Sequence, residues 1–435
     1  MVQKSAVPPS PAQTAVARVS WRILPLIGAG YLVSYMDRVN ISFAAARMNA
    51  DLGFGATVYG FGGGLFFLAY ALFEVPSNVA LERFGARRWL ARIMITWGIL
   101  AAAMMLVRTP WQFYGLRFLL GMAEAGFFPG VICYLALWFP RSVRGTAISR
   151  FYLTPSLAGI VMGVVSPWLL SLGWFGLKGW QWLFVIQGLP AVAIGLMVLA
   201  FLPDAPDRVA WLNNAEKGWI AAQLATEEAV LEPAEGHGVI AALRHPLVWR
   251  LGLFGFFTIG AYLTFALSAP QLLAEATGLG TAQVGLLTSL ASVLAIFGML
   301  LGGVVSDRRG ERFSTMLAST GAVLICYIAM AALMQGHAAG FIAAYLVFNF
   351  AWPMVTLSNV MSWPDLLPRR HFAVGSAAIN TLSQLGAFVL PSAWGVVRDG
   401  TGTFRAGLIG LALSSTIAFG LALITRAHAR ARAIR

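Results

Sequence analysis

Long hydrophobic stretches dominate the chain, and short polar segments separate them. A helix that crosses a bilayer needs ~20 mostly apolar residues, and twelve stretches meet that need. They run over 22–45, 57–80, 87–107, 111–138, 146–172, 180–202, 248–274, 281–305, 312–334, 338–362, 372–397 and 404–426. Only helices and closed barrels satisfy their backbone within lipid, and the short alternating segments of a barrel are absent. The pattern therefore predicts an all-α membrane protein with twelve transmembrane helices.

The longest polar segment, 203–247, divides the predicted helices into six and six. Within it, residues 211–228 have the pattern of a short amphipathic helix that lies on the membrane surface. The polar start of the chain contains three prolines, so we expect a tail and no cleavable signal peptide. The predicted organisation is a tail (1–21), an N-terminal six-helix bundle (22–202), a central loop (203–247), a C-terminal six-helix bundle (248–426) and a second tail (427–435).

Composition excludes a soluble protein. Of 435 residues, 59% are hydrophobic and 11% are charged, against about 25% charged in soluble domains. Thirty Lys and Arg against 17 Asp and Glu give a net charge of +13. Twenty-three of the basic residues fall in segments on the side of both termini and five on the other side, which predicts cytoplasmic termini. Because these residues ring helix ends instead of forming one patch, nucleic-acid binding is not expected.

One short pattern occurs in both halves of the sequence. The pattern is an acidic residue, an arginine, any residue and then a glycine. It begins at Glu82-Arg83 after the second predicted helix, and at Asp307-Arg308 after the eighth. The matched position and order indicate an internal duplication. We interpret these four residues as gate residues that latch the inward side through ion pairs; the alternative is a pair of solvated basic turns.

Apart from basic residues towards the span ends, five charged residues lie inside predicted spans, all in the first half: Asp37, Arg38, Glu74, Arg117 and Glu124. Each costs about 3 kcal/mol to insert, so each is either functional or part of a structural ion pair. Asp37 and Arg38 are adjacent and point about 100° apart on a helix. The planar guanidinium of Arg38 suits a substrate carboxylate, and Asp37 can take a proton. A local structural pair is the alternative for both.

Arg117 and Glu124 are two helical turns apart and therefore share a face, with Gly121 between them. Glu124 has small neighbours and no nearby cation in the sequence, which favours a proton-coupling carboxyl over a structural one. Arg117 could equally bind an anion or hold Asp37 or Glu124 in the charged state. The sequence does not choose between these roles for Arg117.

The remaining candidate site residues are one acidic residue in the first half and three neutral polar residues on one helix face in the second half. Glu74 precedes Pro76 by two residues near the inner end of its span, which favours structure or gating over substrate contact. The spans of the second half contain no charged residue apart from the arginines at their ends. There, Asn380, Ser383 and Gln384 lie at i, i+3 and i+4 on one face and suit recognition of hydroxyl or carbonyl groups. Hydrogen bonding between helices is the alternative for them.

Several motifs resemble the major facilitator superfamily. GVVSDRRGER at 303–312 matches its inter-helix signature, and the first-half copy departs from it with Asn78 for Gly and Glu82 for Asp. Other motifs resemble the anion:cation symporter branch: YMDRVNI at 35–41, YALFEVPSN at 70–78, RFLLGMAEAGFFPG at 117–130, WFPR at 138–141 and GWQWLF at 179–184. The resemblance implies two six-helix bundles around a central cavity that opens alternately to each side.

The resemblance also implies a function. Members of this branch carry tartrate, phthalate, hydroxyphenylacetate or sugar acids into bacteria with protons, and animal relatives move sialic acid and glutamate. It implies proton coupling at Asp37 and substrate binding at Arg38, with Tyr35 of the same motif as a further substrate contact, and a monomer as the functional unit. Three Lys against 27 Arg favour a GC-rich bacterial genome and hence the bacterial inner membrane.

The sequence thus predicts a secondary active transporter that takes up a small organic anion by proton symport. Tartrate, another hydroxy-carboxylate, a sugar acid and an aromatic carboxylate all remain candidates. An anion exchanger or efflux antiporter is the alternative within transport, and a membrane sensor that binds an organic anion is the alternative outside it. No nucleophile elbow, phosphate loop or zinc motif occurs, so we expect no enzyme activity, cofactor or metal. The expected partners are the anion, protons and the lipid bilayer.

Overall fold

The computed structural model describes residues 10–152, 154–230, 245–309, 312–366 and 372–433. The first half contains α1 (Pro11–Leu52), α2 (Ala56–Phe84), α3 (Ala86–Ala103), α4 (Pro110–Glu124), α5 (Phe127–Trp138), α6 (Arg141–Tyr152), α7 (Thr154–Ser171), α8 (Gly179–Phe201) and α9 (Asn214–Val230). The second half contains α10 (Pro246–Thr277), α11 (Thr281–Arg309), α12 (Arg312–Leu333), α13 (Ala338–Leu366), α14 (Phe372–Thr401) and α15 (Phe404–Ala433).

Each of the twelve predicted spans contains observed helix. Within the described residues, 11 helical segments are long and apolar enough to cross a membrane. The remaining predicted span, 372–397, coincides with α14, which has 30 residues. The prediction of an all-α membrane fold is therefore confirmed.

Two features of the predicted helices were wrong: where the first helix begins, and that the fourth is continuous. The first helix begins at Pro11 instead of 22, because Ser10 and Gln13 form a capping box and proline is well placed in a first turn. The predicted continuous helix over 111–138 is broken between α4 and α5. Gly126 has a φ of 83° there, a conformation that glycine adopts without strain. The break ends α4 at Glu124, one of the predicted site residues.

Each half has its own hydrophobic core. Buried side chains of α1–α9 form one large cluster, which also takes in Leu267 of α10 and Ala387 of α14, and those of α10–α15 form a second. We call the side on which α1 begins the terminal face, and the side of the turn between α1 and α2 the opposite face. Most of each core therefore lies within one half, and a few buried side chains connect the two.

On the terminal face, α9 is fastened to the first half. Glu216 accepts a hydrogen bond from Arg18 at 3.0 Å, and Glu227 pairs with Arg144 at 2.8 Å. Burial by itself would raise the pKa of Glu227, but the backbone N–H of Arg141 and the Arg144 guanidinium hold that pKa below its usual range. The short surface helix predicted at 211–228 is thus observed three residues later and docked against the bundle.

The halves meet closely on the opposite face, where α2 packs against α14 and α7 packs against α11. A Cβ added at Gly60 would lie 2.3 Å from the Pro391 carbonyl oxygen, and one added at Gly163 would lie 2.3 Å from the Gly285 carbonyl oxygen. Only glycine permits backbones to approach this closely. Small residues therefore close the bundle on the opposite face.

Candidate functional site

The centre of the site is an ion pair between α1 and α4. Arg38 Nε donates to Glu124 Oε1 at 2.8 Å, and Ser34 Oγ donates to the same oxygen at 2.5 Å. The Glu124 side chain is fully buried, and its Oε2 atom has no hydrogen-bond partner among the described residues. Glu124 has no cation near it in the sequence, but the fold brings Arg38 to it from another helix.

Asp37 lies on a different side of α1, as its 100° offset from Arg38 requires. Its Oδ1 accepts a hydrogen bond from Asn40 Nδ2 at 2.9 Å, and its Oδ2 is buried without a partner among the described residues. The buried Arg117 guanidinium lies within electrostatic range of Asp37 and donates to the Gly62 carbonyl at 3.4 Å. Its guanidinium carbon also lies 4.7 Å from the ring centre of Phe66 and within electrostatic range of Glu124, so the role of Arg117 stays a prediction.

Three aromatic rings surround Arg38. The guanidinium carbon lies 5.3 Å from the ring centre of Tyr35, 5.6 Å from that of Phe66 and 5.1 Å from that of Tyr70. Aromatic faces attract cations within about 6 Å. The rings therefore hold Arg38 in place while leaving its side chain 22% exposed, so the guanidinium can still meet a ligand.

One hydrogen bond links this cluster to the second half. Asn380 Nδ2 on α14 donates to Glu74 Oε2 on α2 at 2.9 Å. Glu74 also lies within electrostatic range of Arg38. The structure thus joins a residue predicted to gate and a residue predicted to bind substrate.

The other members of the α14 stripe have different surroundings. Ser383 donates to the Ile379 carbonyl of its own helix at 2.8 Å and lies against Gly255 of α10. Its hydroxyl therefore serves helix packing in this conformation, which disfavours the predicted substrate contact. Gln384 is partly buried one turn from Asn380. Facing the first half, Tyr262 of α10 stacks on Trp352 of α13 with ring centres 4.3 Å apart.

The structure gives no ion pair to the predicted gate residues that it describes. Glu82 and Arg83 are exposed, and Arg83 lies over the ring of its neighbour Phe84 at 5.7 Å. The side chains of Asp307 and Arg308 lie outside the described part of the chain. In the first-half turn it is Arg87 that approaches an acid, Asp204, at 3.5 Å. Gating by these four residues stays a prediction.

Sequence analysis named Tyr35 but missed Ser34 and the other two rings beside Arg38, those of Phe66 and Tyr70. Ser34 precedes Arg38 by four residues, so both lie on one face of α1. Phe66, Tyr70 and Glu74 recur every four residues on α2 and form a stripe for the same reason. This helical spacing was visible in the sequence and could have identified all of them.

The arrangement can exchange one carboxylate for another. Arg38 carries a positive charge whose nearest partner is a buried carboxyl group, and a buried charge requires such a partner. If a proton neutralises Glu124, Arg38 is left able to pair with a carboxylate that arrives from outside. No covalent step is needed for this exchange.

Known proteins match the chain over nearly its whole length. The sequence profile of the Major Facilitator Superfamily matches residues 27–391. A protein of Agrobacterium vitis, described as a candidate tartrate transporter, is 40% identical over 408 residues and covers 92% of each chain. A quinolone resistance transporter of Acinetobacter baumannii is 36% identical over 427 residues and covers 95% of each chain.

A solved structure shares the fold. The inward-open xylose transporter XylE of E. coli superimposes with a TM-score of 0.73 at 15% identity, covering 92% of this chain and 95% of that one. These relatives are transporters and not enzymes, and the tartrate-transporter relative agrees with the resemblance to the anion:cation symporter branch. With its helical fold and its membrane spans, the chain is a multi-pass membrane transporter that belongs to the major facilitator superfamily.

Proposed function

We propose that this transporter takes up a small organic anion together with protons. The observation that carries the proposal is the buried Arg38–Glu124 pair, in which one carboxyl oxygen of Glu124 has no partner among the described residues. A proton on Glu124 removes its negative charge and frees Arg38 for the carboxylate of the substrate. Asp37, balanced by Arg117, is the second proton carrier.

The substrate lies between the two halves. Its carboxylate pairs with Arg38 beside Tyr35, and its hydroxyl or carbonyl groups reach Asn380 and Gln384 on α14. Tartrate, another hydroxy-carboxylate, a sugar acid and an aromatic carboxylate all carry the required groups. The name of the Agrobacterium vitis relative supports tartrate as the first probe.

The orientation follows from the charge distribution. The terminal face, which carries most of the basic residues, is the cytoplasmic side of a bacterial inner membrane. The halves meet on the opposite face, so this conformation is the inward-facing one. The central loop 203–247 lies between a first bundle over 22–202 and a second over 248–426, and one chain forms the transport unit.

Proteoliposomes with an imposed pH gradient test the proposal, with L-tartrate as the probe. We expect Glu124→Gln, which resembles the protonated state, to keep exchange of labelled for unlabelled tartrate and to lose accumulation driven by the gradient. Asp207→Asn, which removes an exposed acid far from the cluster, is the control and should accumulate normally.

Three outcomes would contradict symport. Full gradient-driven accumulation by Glu124→Gln would remove the coupling role of this residue. Exchange by the wild type without any response to the gradient would show an anion exchanger, and tartrate binding without flux would show a sensor.

A further inference from the structure

The hydrogen bond between Glu74 and Asn380 joins two helices that belong to different halves. The residues are 306 positions apart, and the donor amide of Asn380 is 2.9 Å from the carboxylate oxygen of Glu74. Glu74 is partly buried on the α2 stripe that also carries Tyr70, whose ring lies 5.1 Å from the Arg38 guanidinium carbon. A carboxylate of the chain itself therefore holds the amide donor of Asn380 and lies within electrostatic range of the Arg38 guanidinium.

The proposed function gives a substrate carboxylate and its neighbouring oxygens the same two partners. A hydrogen bond to an ionised acceptor is about twice as strong as a neutral one. While Glu74 holds the amide of Asn380, that donor is not available to a substrate. Binding then requires the Glu74–Asn380 bond to open. The apparent affinity equals the intrinsic affinity multiplied by the fraction of molecules in which this bond is open.

We propose that Glu74 is a tethered competitor, which occupies Asn380 when the site is empty and is displaced by the substrate. This inference rests on the proposed function, because it takes Asn380 to be a substrate contact. Glu74 is a specificity-determining residue in this scheme. A weakly binding anion cannot displace it, and an anion with an additional oxygen for Asn380 can.

The competitor also signals occupancy from one half to the other. In the empty protein the Glu74–Asn380 bond ties α2 to α14 at the depth of the charged cluster. When substrate takes Asn380, the same contact is made through the substrate. The Glu74–Asn380 bond between the halves therefore forms only when the site is empty. It makes the empty carrier physically different from the loaded carrier, and any coupled transporter requires such a difference.

Calorimetric titration of the purified protein in detergent with L-tartrate, D-gluconate and benzoate measures the competition. For whichever probe binds the wild type, we expect Glu74→Ala to bind it about tenfold more tightly, corresponding to a donor that is about 10% available in the wild type. Glu74→Gln keeps a neutral acceptor for Asn380 and should show a smaller gain. Asp207→Asn removes one exposed carboxylate and should leave the affinity unchanged.

A double-mutant cycle of thermal unfolding, with Glu74→Ala, Asn380→Ala and the double variant, tests displacement directly. In the protein without probe, the shifts in Tm should be non-additive because the two side chains are bonded. With saturating probe they should become additive, because the probe has replaced Glu74. Non-additivity that persists with saturating probe would mean a structural hydrogen bond and would overturn the competitor.

The two proposals fail differently. If none of the three probes binds the wild type, the proposed function fails for these substrate classes and the competitor fails with it. If the wild type binds and transports a probe but Glu74→Ala binds it equally or more weakly, only the competitor is overturned.

Discussion

The first half of the bundle buries charge, whereas the second half buries neutral groups. Among the described residues, the charged side chains classed as buried are Asp37, Arg117, Glu124 and Glu216, and all of them precede α10. At comparable positions the second half presents an aromatic stack, Tyr262 on Trp352, and the amide of Asn380. The described charge of the bundle interior is therefore concentrated in the first half, and the second half offers neutral polar and aromatic groups.

Ion pairs follow the same division. Arg38 pairs with Glu124 inside the first half, and Arg398 pairs with Glu275 inside the second. Described contacts between the halves include the Glu74–Asn380 hydrogen bond, the bond from Tyr59 Oη to the Leu267 carbonyl, close glycine packing, and Asp399 at the first turn of α2. The ion pairs of the described residues stay within one half, and the hydrogen bonds between halves can be exchanged when the bundle rocks.

The largest effect is expected when the Arg38–Glu124 ion pair of the first half is broken. Arg38→Met leaves Glu124 buried without its cation, and breaking such a pair costs about 3–5 kcal/mol. Thermal unfolding should show this loss, and tartrate uptake should disappear. Adding Glu124→Gln removes the unpaired charge and should restore most of the stability but none of the uptake. If the double variant were as unstable as Arg38→Met, the pair would not be the source of the loss.

Part of this division could be predicted from the sequence. The confinement of intramembrane charge to the first half is visible directly, as are the twelve spans. The stripe of Phe66, Tyr70 and Glu74 follows from helical spacing. The capping box at Ser10 likewise shows that α1 begins before the apolar stretch does.

The pairings could not be predicted. Arg38 and Glu124 are 86 residues apart, and Glu74 and Asn380 are 306 apart, so only the packing of helices decides that they meet. The break after Glu124 was hidden within a continuous apolar run, because hydropathy does not record the backbone angles that Gly126 adopts. The sequence therefore predicts in which span each charged residue lies, but it does not predict which residues from different helices form pairs.

A smaller effect concerns the contact between halves on the opposite face. Asp399 of α14 accepts hydrogen bonds from the backbone N–H groups of Ala56 and Thr57 at 2.9 and 2.7 Å, and so caps α2 from the other half. Asparagine offers one acceptor oxygen where aspartate offers two, and a lost hydrogen bond costs about 1 kcal/mol. Asp399→Asn should therefore speed hydrogen exchange in the first turn of α2 about fivefold.

The matched control for this cap is an acid on the same face whose contacts stay within one half. Asp51 pairs with Lys178 at 2.7 Å and accepts a hydrogen bond from Trp180. Asp51→Asn should leave exchange in the first turn of α2 unchanged. Equal acceleration by both variants would mean a general loosening of the opposite face and would remove the special role of Asp399.

The smallest expected effect lies on the terminal face, inside the first half. Glu227 has a pKa below its usual range because Arg141 and Arg144 outweigh the effect of burial. A lowered pKa stabilises the folded state above the unfolded value of 4.5, and this contribution is lost as the pH falls through the folded value. We expect Glu227→Gln to lower stability by about 0.5 kcal/mol at pH 7.

The pH dependence separates this ion pair from simple packing. The difference in Tm between wild type and Glu227→Gln should be constant from pH 8 to about pH 6 and should shrink below about pH 4.5, where the carboxylates of the unfolded chain begin to protonate. Glutamine has nearly the same shape as glutamate, so a packing defect would persist at every pH. A constant difference would therefore assign the docking of α9 to apolar contacts such as those of the buried Ile220, and not to charge.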